Sequence, residues 1–241
     1  RTLLDAYPAV VLQAPPGAGK TTRVPMALRD APWLGNRRIL MLEPRRLAAR
    51  AAARFMAGQL GEDAGRTVGY RTRLDSKVSA TTRIEVVTEG ILTRMLQDDP
   101  SLDGYGLVIF DEFHERSLQA DLGLALAREC QQALRDDLRL VVMSATLDAA
   151  PVAALLAGAD GSAAPVLTSA GRAFPVATRY LPPADRRAWL DHLVRELPHI
   201  LAQEEGSALV FLPGVGEIHR VQGALAGRLP ADVRVVPLYG D

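Results

Sequence analysis

The chain holds one cysteine, Cys130, and only two lysines, Lys20 and Lys77, among its 28 basic residues. A single cysteine excludes an internal disulfide framework. Set among helix formers, this thiol reads as buried or half-buried, which fits a reducing, cytoplasmic compartment. Aromatic residues make up just 5% of the chain, so few side chains are available to stack on a planar ligand, and Trp33, Phe55 and Trp189 are read as packing residues. No apolar run approaches the ~20 residues that a spanning helix needs, and no signal-peptide pattern opens the chain, so no membrane partner is expected. An excess of one charge is missing too. With 28 basic and 28 acidic residues the formal net charge is zero, and any affinity for a polyanion must come from local arrangement.

What is present is ample apolar material: 48% of 241 residues are hydrophobic, enough for one or two packed domains. The chain starts at Arg1 rather than Met and ends at Asp241 directly after an apolar segment; the expectation is a piece of a longer protein. Strands are expected at 9–12, 38–42, 83–87, 107–110 and 138–143. The runs at 107–110 and 140–143 are continuous rather than alternating, as in strands covered on both faces. Helical patterns at 21–29, 47–60, 90–96, 119–135 and 151–156 separate them. Strands alternating with helices imply βαβ units: an α/β fold with a parallel sheet and helices on both faces. A small-residue stretch around 158–164 and a boundary near residue 170 follow. Extended stretches are expected at 166–168, before that boundary, and at 176–181, after it, followed by helices at 185–203 and 216–226 and strands at 208–212 and 233–237. Residues 1–170 are thus expected as one domain, and 171–241 as a connector and the beginning of a second.

The first strand runs into Pro16, Gly17, Ala18, Gly19, Lys20, Thr21 and Thr22, and a helix follows. Each residue type suits a phosphate. Glycines let backbone N–H groups close around oxygens with no Cβ in the way. The helix start adds a positive dipole end. Lys20 supplies a compact charge for the β- and γ-phosphates, and the Thr21 hydroxyl can ligate Mg²⁺. The strict pattern has glycine where this chain has Ala14. In a chain that uses arginine nearly everywhere, a lysine at this position carries weight, since the two cations are not interchangeable.

Nucleotide chemistry also needs a metal ligand and a group that orients water. The buried run 107–110 ends in Asp111 and Glu112: Asp111 for the metal, usually through water, and Glu112 to polarise the attacking water. His114 follows closely enough to feel that site.

Here the residues resemble superfamily 2 helicases of the DEAH group, and within it the bacterial HrpB-type ATP-dependent helicases. Asp111-Glu112-Phe113-His114 occupies the place of the DEAH box, with Phe113 for the usual alanine, similar to the HrpB branch. Glu43-Pro44-Arg45-Arg46 resembles motif Ia, Val68-Gly69-Tyr70-Arg71 the segment after it, Thr88-Glu89-Gly90 motif Ib, Ser144-Ala145-Thr146 motif III, and Phe211-Leu212-Pro213-Gly214 motif IV. The ordered set spans essentially the whole chain. The resemblance implies a RecA-like P-loop NTPase domain followed by an incomplete second RecA-like domain. It implies ATP as the nucleotide, and Mg²⁺ near Thr21, Asp111 and Glu112. It also implies 3′-to-5′ movement on single-stranded RNA, with DNA in some relatives. Arg45 and Arg46, just past a strand end, can address successive phosphates of one strand; the family assigns the same partner to Thr88, Gly90, Pro213 and Gly214. Ser144 and Thr146 would link nucleotide state to nucleic-acid grip, with His114 as a coupling residue. Arg50 and Arg54 continue one helix face, where a solvated role is equally open, and Arg54 is the candidate for adenine recognition. No QRxGRxGR-like run occurs, so the arginine finger and motifs V and VI are expected in the protein's own downstream helicase domains. Two other classes share the phosphate loop and stay open: a P-loop phosphotransferase, and a nucleotide-dependent RNA clamp that does not unwind.

Overall fold

The computed structural model describes residues 2–145, 149–171 and 175–239. The chain divides into two compact units that part between residues 173 and 174.

The first unit is built on one eight-stranded sheet. Its elements run α1 (Thr2–Ala6), β1 (Ala9–Gln13), α2 (Lys20–Leu28), β2 (Arg38–Glu43), α3 (Arg46–Gln59), β3 (Val68–Arg71), β4 (Ser76–Lys77), β5 (Ile84–Thr88), α4 (Glu89–Asp98), β6 (Tyr105–Phe110), α5 (Leu118–Ala133), β7 (Arg139–Ser144), α6 (Ala149–Leu155) and β8 (Val166–Thr168). The strand order is β4-β3-β5-β2-β6-β7-β1-β8. All pairs are parallel except the β3–β4 hairpin. Because side chains alternate across a strand, each buried strand feeds two cores. Leu40, Leu42, Val108, Phe110, Leu140 and Val142 pack on one face, against α4, α5 and α6. Ile39, Met41, Leu107, Ile109, Val141 and Met143 pack on the other, against α1, α2 and α3. This is the α/β arrangement expected from the sequence. The hairpin was not expected as strands. Gly69 permits it, since a Cβ there would lie 2.4 Å from the Lys77 carbonyl oxygen.

The consequence for chemistry is positional. In parallel strands all C-terminal ends share one rim, where α/β proteins place their ligands. Gln13, Glu43, Thr88, Phe110, Ser144 and Thr168 each end a strand at that rim.

The second unit contains α7 (Trp189–Leu201) and α8 (Val215–Leu225), which bury Val194, Leu197, Val221 and Leu225 against one another. The strands expected at 208–212 and 233–237 do not form, and 176–181 is also irregular. A strand requires a neighbour to complete its hydrogen bonds; among the described residues these segments have none. Several of their apolar side chains, such as Phe211 and Val236, are exposed.

Candidate functional site

The glycine-rich loop leaves β1 and turns through Gly17 and Gly19, both with positive φ (77° and 82°), the region that glycine enters at no steric cost. Gly19 is the residue before α2, so the helix begins at Lys20 with its N–H groups directed at the loop. Pro16 and Gly17 are exposed, while Ala18, Gly19, Thr21 and Thr22 are half-buried. Lys20 is buried, and its Nζ donates to the carbonyls of Ala14 (2.9 Å) and Pro15 (3.3 Å). Those bonds hold the ammonium inside the cradle that the loop forms.

The acidic loop leaves β6. Asp111 is buried, its N–H donating to Leu42 of β2 at 3.1 Å. Its Oδ2 accepts from the Thr21 hydroxyl at 2.5 Å, and its Oδ1 from the Glu112 N–H at 2.9 Å. The first of these bonds spans 90 residues and joins the two loops directly. Glu112 adopts a left-handed conformation (φ 49°), which turns the chain into a single helical turn over Phe113–Glu115. Phe113 anchors that turn. It is buried, packs edge-on to Phe110 with ring centroids 6.3 Å apart, and lies beneath the Arg116 guanidinium. His114 faces the end of β7: its Nδ1 accepts from the Ala145 N–H at 3.3 Å and lies 3.4 Å from Glu112 Oε2. Ser144 is buried there, and its carbonyl accepts from the Ala14 N–H at 3.0 Å. Thr146 lies outside the described residues.

Sequence reasoning gave no separate role to Glu43. It ends β2, the neighbour of β6, is 3% exposed, and hydrogen-bonds Asp111. Burial, reinforced by the Asp111 charge and this hydrogen bond, pushes its carboxyl up to about 8. The protonated form of Glu43 is therefore favoured beside Asp111. The signal was visible as an acidic residue closing a buried apolar run, but its neighbour depends on strand order.

Beside these groups opens a cleft of about 660 Å³, lined by Thr21, Thr22, Glu43, Arg45, Phe55 and Glu112 among others. Phe55 corrects the packing expectation: it is 56% exposed on the cleft wall, because its position on α3 faces away from the sheet. Trp33 does pack against the core, below the Arg139 guanidinium. Arg45 and Arg46 are exposed at the start of α3. Arg45 pairs with Glu115 at 2.8 Å. Arg50 is committed within the fold, paired with Asp75 at 2.9 Å and set over the Tyr70 ring. Thr88 and Gly90 flank the start of α4 on the same rim. Glu89 between them accepts from Ser117 Oγ at 2.6 Å, the residue that also caps α5 through the Ala120 N–H. Pro213 and Gly214 belong to the second unit, where Gly214 precedes α8.

A phosphate cradle and a paired-carboxylate loop meeting at one rim of a parallel sheet define a P-loop nucleotide-binding class. The family described as DEAD/DEAH box helicase matches residues 2–155, and the chain belongs to that family. Its fold is accordingly RecA-like. Among similar proteins, the ATP-dependent RNA helicase HrpB of Escherichia coli (strain K12) is 54% identical over 239 residues, covering 99% of this chain and 29% of that protein. The probable ATP-dependent RNA helicase DHX35 of Homo sapiens is 34% identical over 255 residues, covering 98% of this chain and 36% of that one. The crystal structure of the Escherichia coli DEAH/RHA helicase HrpB superimposes with a TM-score of 0.85 at 55% identity, covering 99% of this chain and 30% of that one. The chain thus spans between 29% and 36% of the length of these relatives. Among the described residues, no helix is long and apolar enough to cross a membrane.

Proposed function

We propose that this chain is the nucleotide-binding part of an ATP-driven helicase that moves 3′ to 5′ on single-stranded RNA in the cytoplasm. One observation carries the reading. The Thr21 hydroxyl and the Asp111 carboxylate, from two loops far apart in sequence, meet at 2.5 Å beside the buried Lys20 ammonium. A hydroxyl and a carboxylate suit Mg²⁺, which takes few protein ligands and otherwise phosphate oxygens and water. Bound there, the ion would neutralise charge on the β- and γ-phosphates.

In this reading Lys20 and the backbone N–H groups from Gly17 to Thr22 hold the triphosphate, with Pro16 shaping the entrance of the loop. Glu112 orients the attacking water, and Ser144 and Thr146 sense the γ-phosphate end. His114 joins the acidic turn to the end of β7. Arg45, Arg46, Thr88 and Gly90 take successive phosphates of the nucleic-acid strand. Pro213 and Gly214 do so from residues 171–241, which we assign to a connector and the start of a second RecA-like domain after a first over 1–170. No QRxGRxGR-like run occurs in the 241 residues, and we assign the charge partner of the transferring phosphoryl group to downstream helicase domains. Such an arginine is worth about 10³–10⁵ in rate. This chain alone should bind nucleotide and turn it over slowly.

The test uses the full-length protein. RNA should stimulate its ATPase more than DNA, with a salt dependence that reports phosphate contacts. Glu112→Gln should retain ATP binding and lose at least about a hundredfold in turnover. Unchanged turnover in that variant would remove Glu112 from the role assigned to it.

A further inference from the structure

Arg45 stands at the mouth of the cleft with its side chain 71% exposed, yet it is not free: its guanidinium is taken by Glu115 at 2.8 Å. The two residues are 70 positions apart, and the bond ties the loop after β2 to the turn after Glu112. We propose that Glu115 is a positioning residue that occupies Arg45 in place of a backbone phosphate and releases it when a single strand binds, so that phosphate arrival acts on the turn carrying Glu112. The inference rests on the motor reading above.

Three features of the geometry support it. The first is chemical likeness. A carboxylate and a phosphate diester offer the same kind of acceptor oxygens to a guanidinium, so one can replace the other. The second is contrast with a neighbour. Arg50 also pairs with a carboxylate, Asp75, but Asp75 is held in addition by the Tyr70 hydroxyl at 2.8 Å. Among the described residues, the Glu115 carboxylate has Arg45 as its hydrogen-bond partner and no second anchor. An exposed, singly held pair of this kind is worth a factor of about two to five, weak enough for a strand phosphate to displace. The third is linkage to the chemistry. The Glu115 N–H donates to the Glu112 carbonyl at 2.9 Å. The turn between them is bracketed by two non-glycine residues with positive φ, Glu112 (49°) and Arg116 (46°). Glu112 and Glu115 therefore belong to one short unit, and a change of partner at Glu115 bears on both.

Both side chains lie toward solvent, so substitutions should leave the fold intact. The test is a double-mutant cycle in the full-length protein. A fluorescein-labelled 12-nucleotide oligouridylate is titrated by anisotropy at low salt, with ATPase followed over the same RNA range. Glu115→Gln should tighten binding about two- to fivefold and lower the half-stimulating RNA concentration by the same factor. Arg45→Ala should weaken binding, and adding Glu115→Gln to it should then bring no gain. A gain that persists without Arg45 would reflect general charge removal and overturn the proposal, as would the absence of any gain in the presence of Arg45. A wild-type protein that does not bind oligouridylate overturns the motor reading itself, an outcome separate from either of these.

Discussion

Glu43→Gln isolates the proton that burial favours on the Glu43 carboxyl. In the folded chain Glu43 titrates at about 8 against an ordinary value of 4.5, chiefly because burial penalises its charged form. The folded state thus holds this proton more tightly than the unfolded state does. Its contribution to stability is complete below pH 4.5 and is lost as the pH rises through about 8. At 1.36 kcal/mol per unit, the full difference sets a ceiling of roughly 5 kcal/mol. Water admitted from the cleft lowers that figure, and about 2 kcal/mol is expected. For a domain of this size it corresponds to a melting temperature that falls by about 4–8 °C between pH 5 and pH 8.5. Glutamine donates an N–H to Asp111 and does not titrate. Thermal melts followed by circular dichroism, without nucleotide or divalent metal, should show the wild type losing stability across this window while Glu43→Gln stays nearly level, apart from slopes common to both. Parallel curves for the two proteins would refute the reasoning.

Other substitutions probe separate links. Lys20→Ala removes the cation of the glycine-rich cradle, and a titration with fluorescent ATP analogue should show affinity falling about ten- to a hundredfold, the worth of a charge-assisted hydrogen bond. Phe113→Ala deletes a buried ring under the acidic turn and should cost about 3 kcal/mol in urea unfolding. Gly69→Ala forces a Cβ against the Lys77 carbonyl oxygen; a loss of about 1–3 kcal/mol is expected in the same assay. Cys130 is 4% exposed, and burial raises its thiol above the ordinary range. It should react with Ellman's reagent only as fast as the chain opens, and rapid native-state labelling would contradict its placement.

The five central strands, β1, β2, β5, β6 and β7, were legible because they are covered on both faces, which writes them as apolar runs such as 107–110. Their ends were less so. Both β1 and β2 extend one residue further, into Gln13 and Glu43, polar positions whose membership in a strand depends on pairing rather than on composition. The glycine-rich loop and the acidic pair could be read from local spacing. Their meeting, and the presence of Glu43 beside Asp111, could not: these follow from the order in which strands lie side by side, and short-range pattern carries none of that. The same limit explains the unpaired segments at 208–212 and 233–237. Their apolar composition is that of strands, but a strand exists only with a neighbour. Phe55 illustrates the converse error, since an aromatic residue in a helical pattern says nothing about which side of the helix meets the sheet.

The strand order has one more consequence. β1 and β6 are not adjacent; β7 lies between them, so the glycine loop and the acidic loop stand on either side of a gap one strand wide. Its span is set by two interstrand spacings, about 10 Å, and hence by backbone ladders rather than by core side chains. Large-to-small changes beneath the sheet should lower the protein's melting temperature while leaving the affinity of its folded fraction for nucleotide where it was.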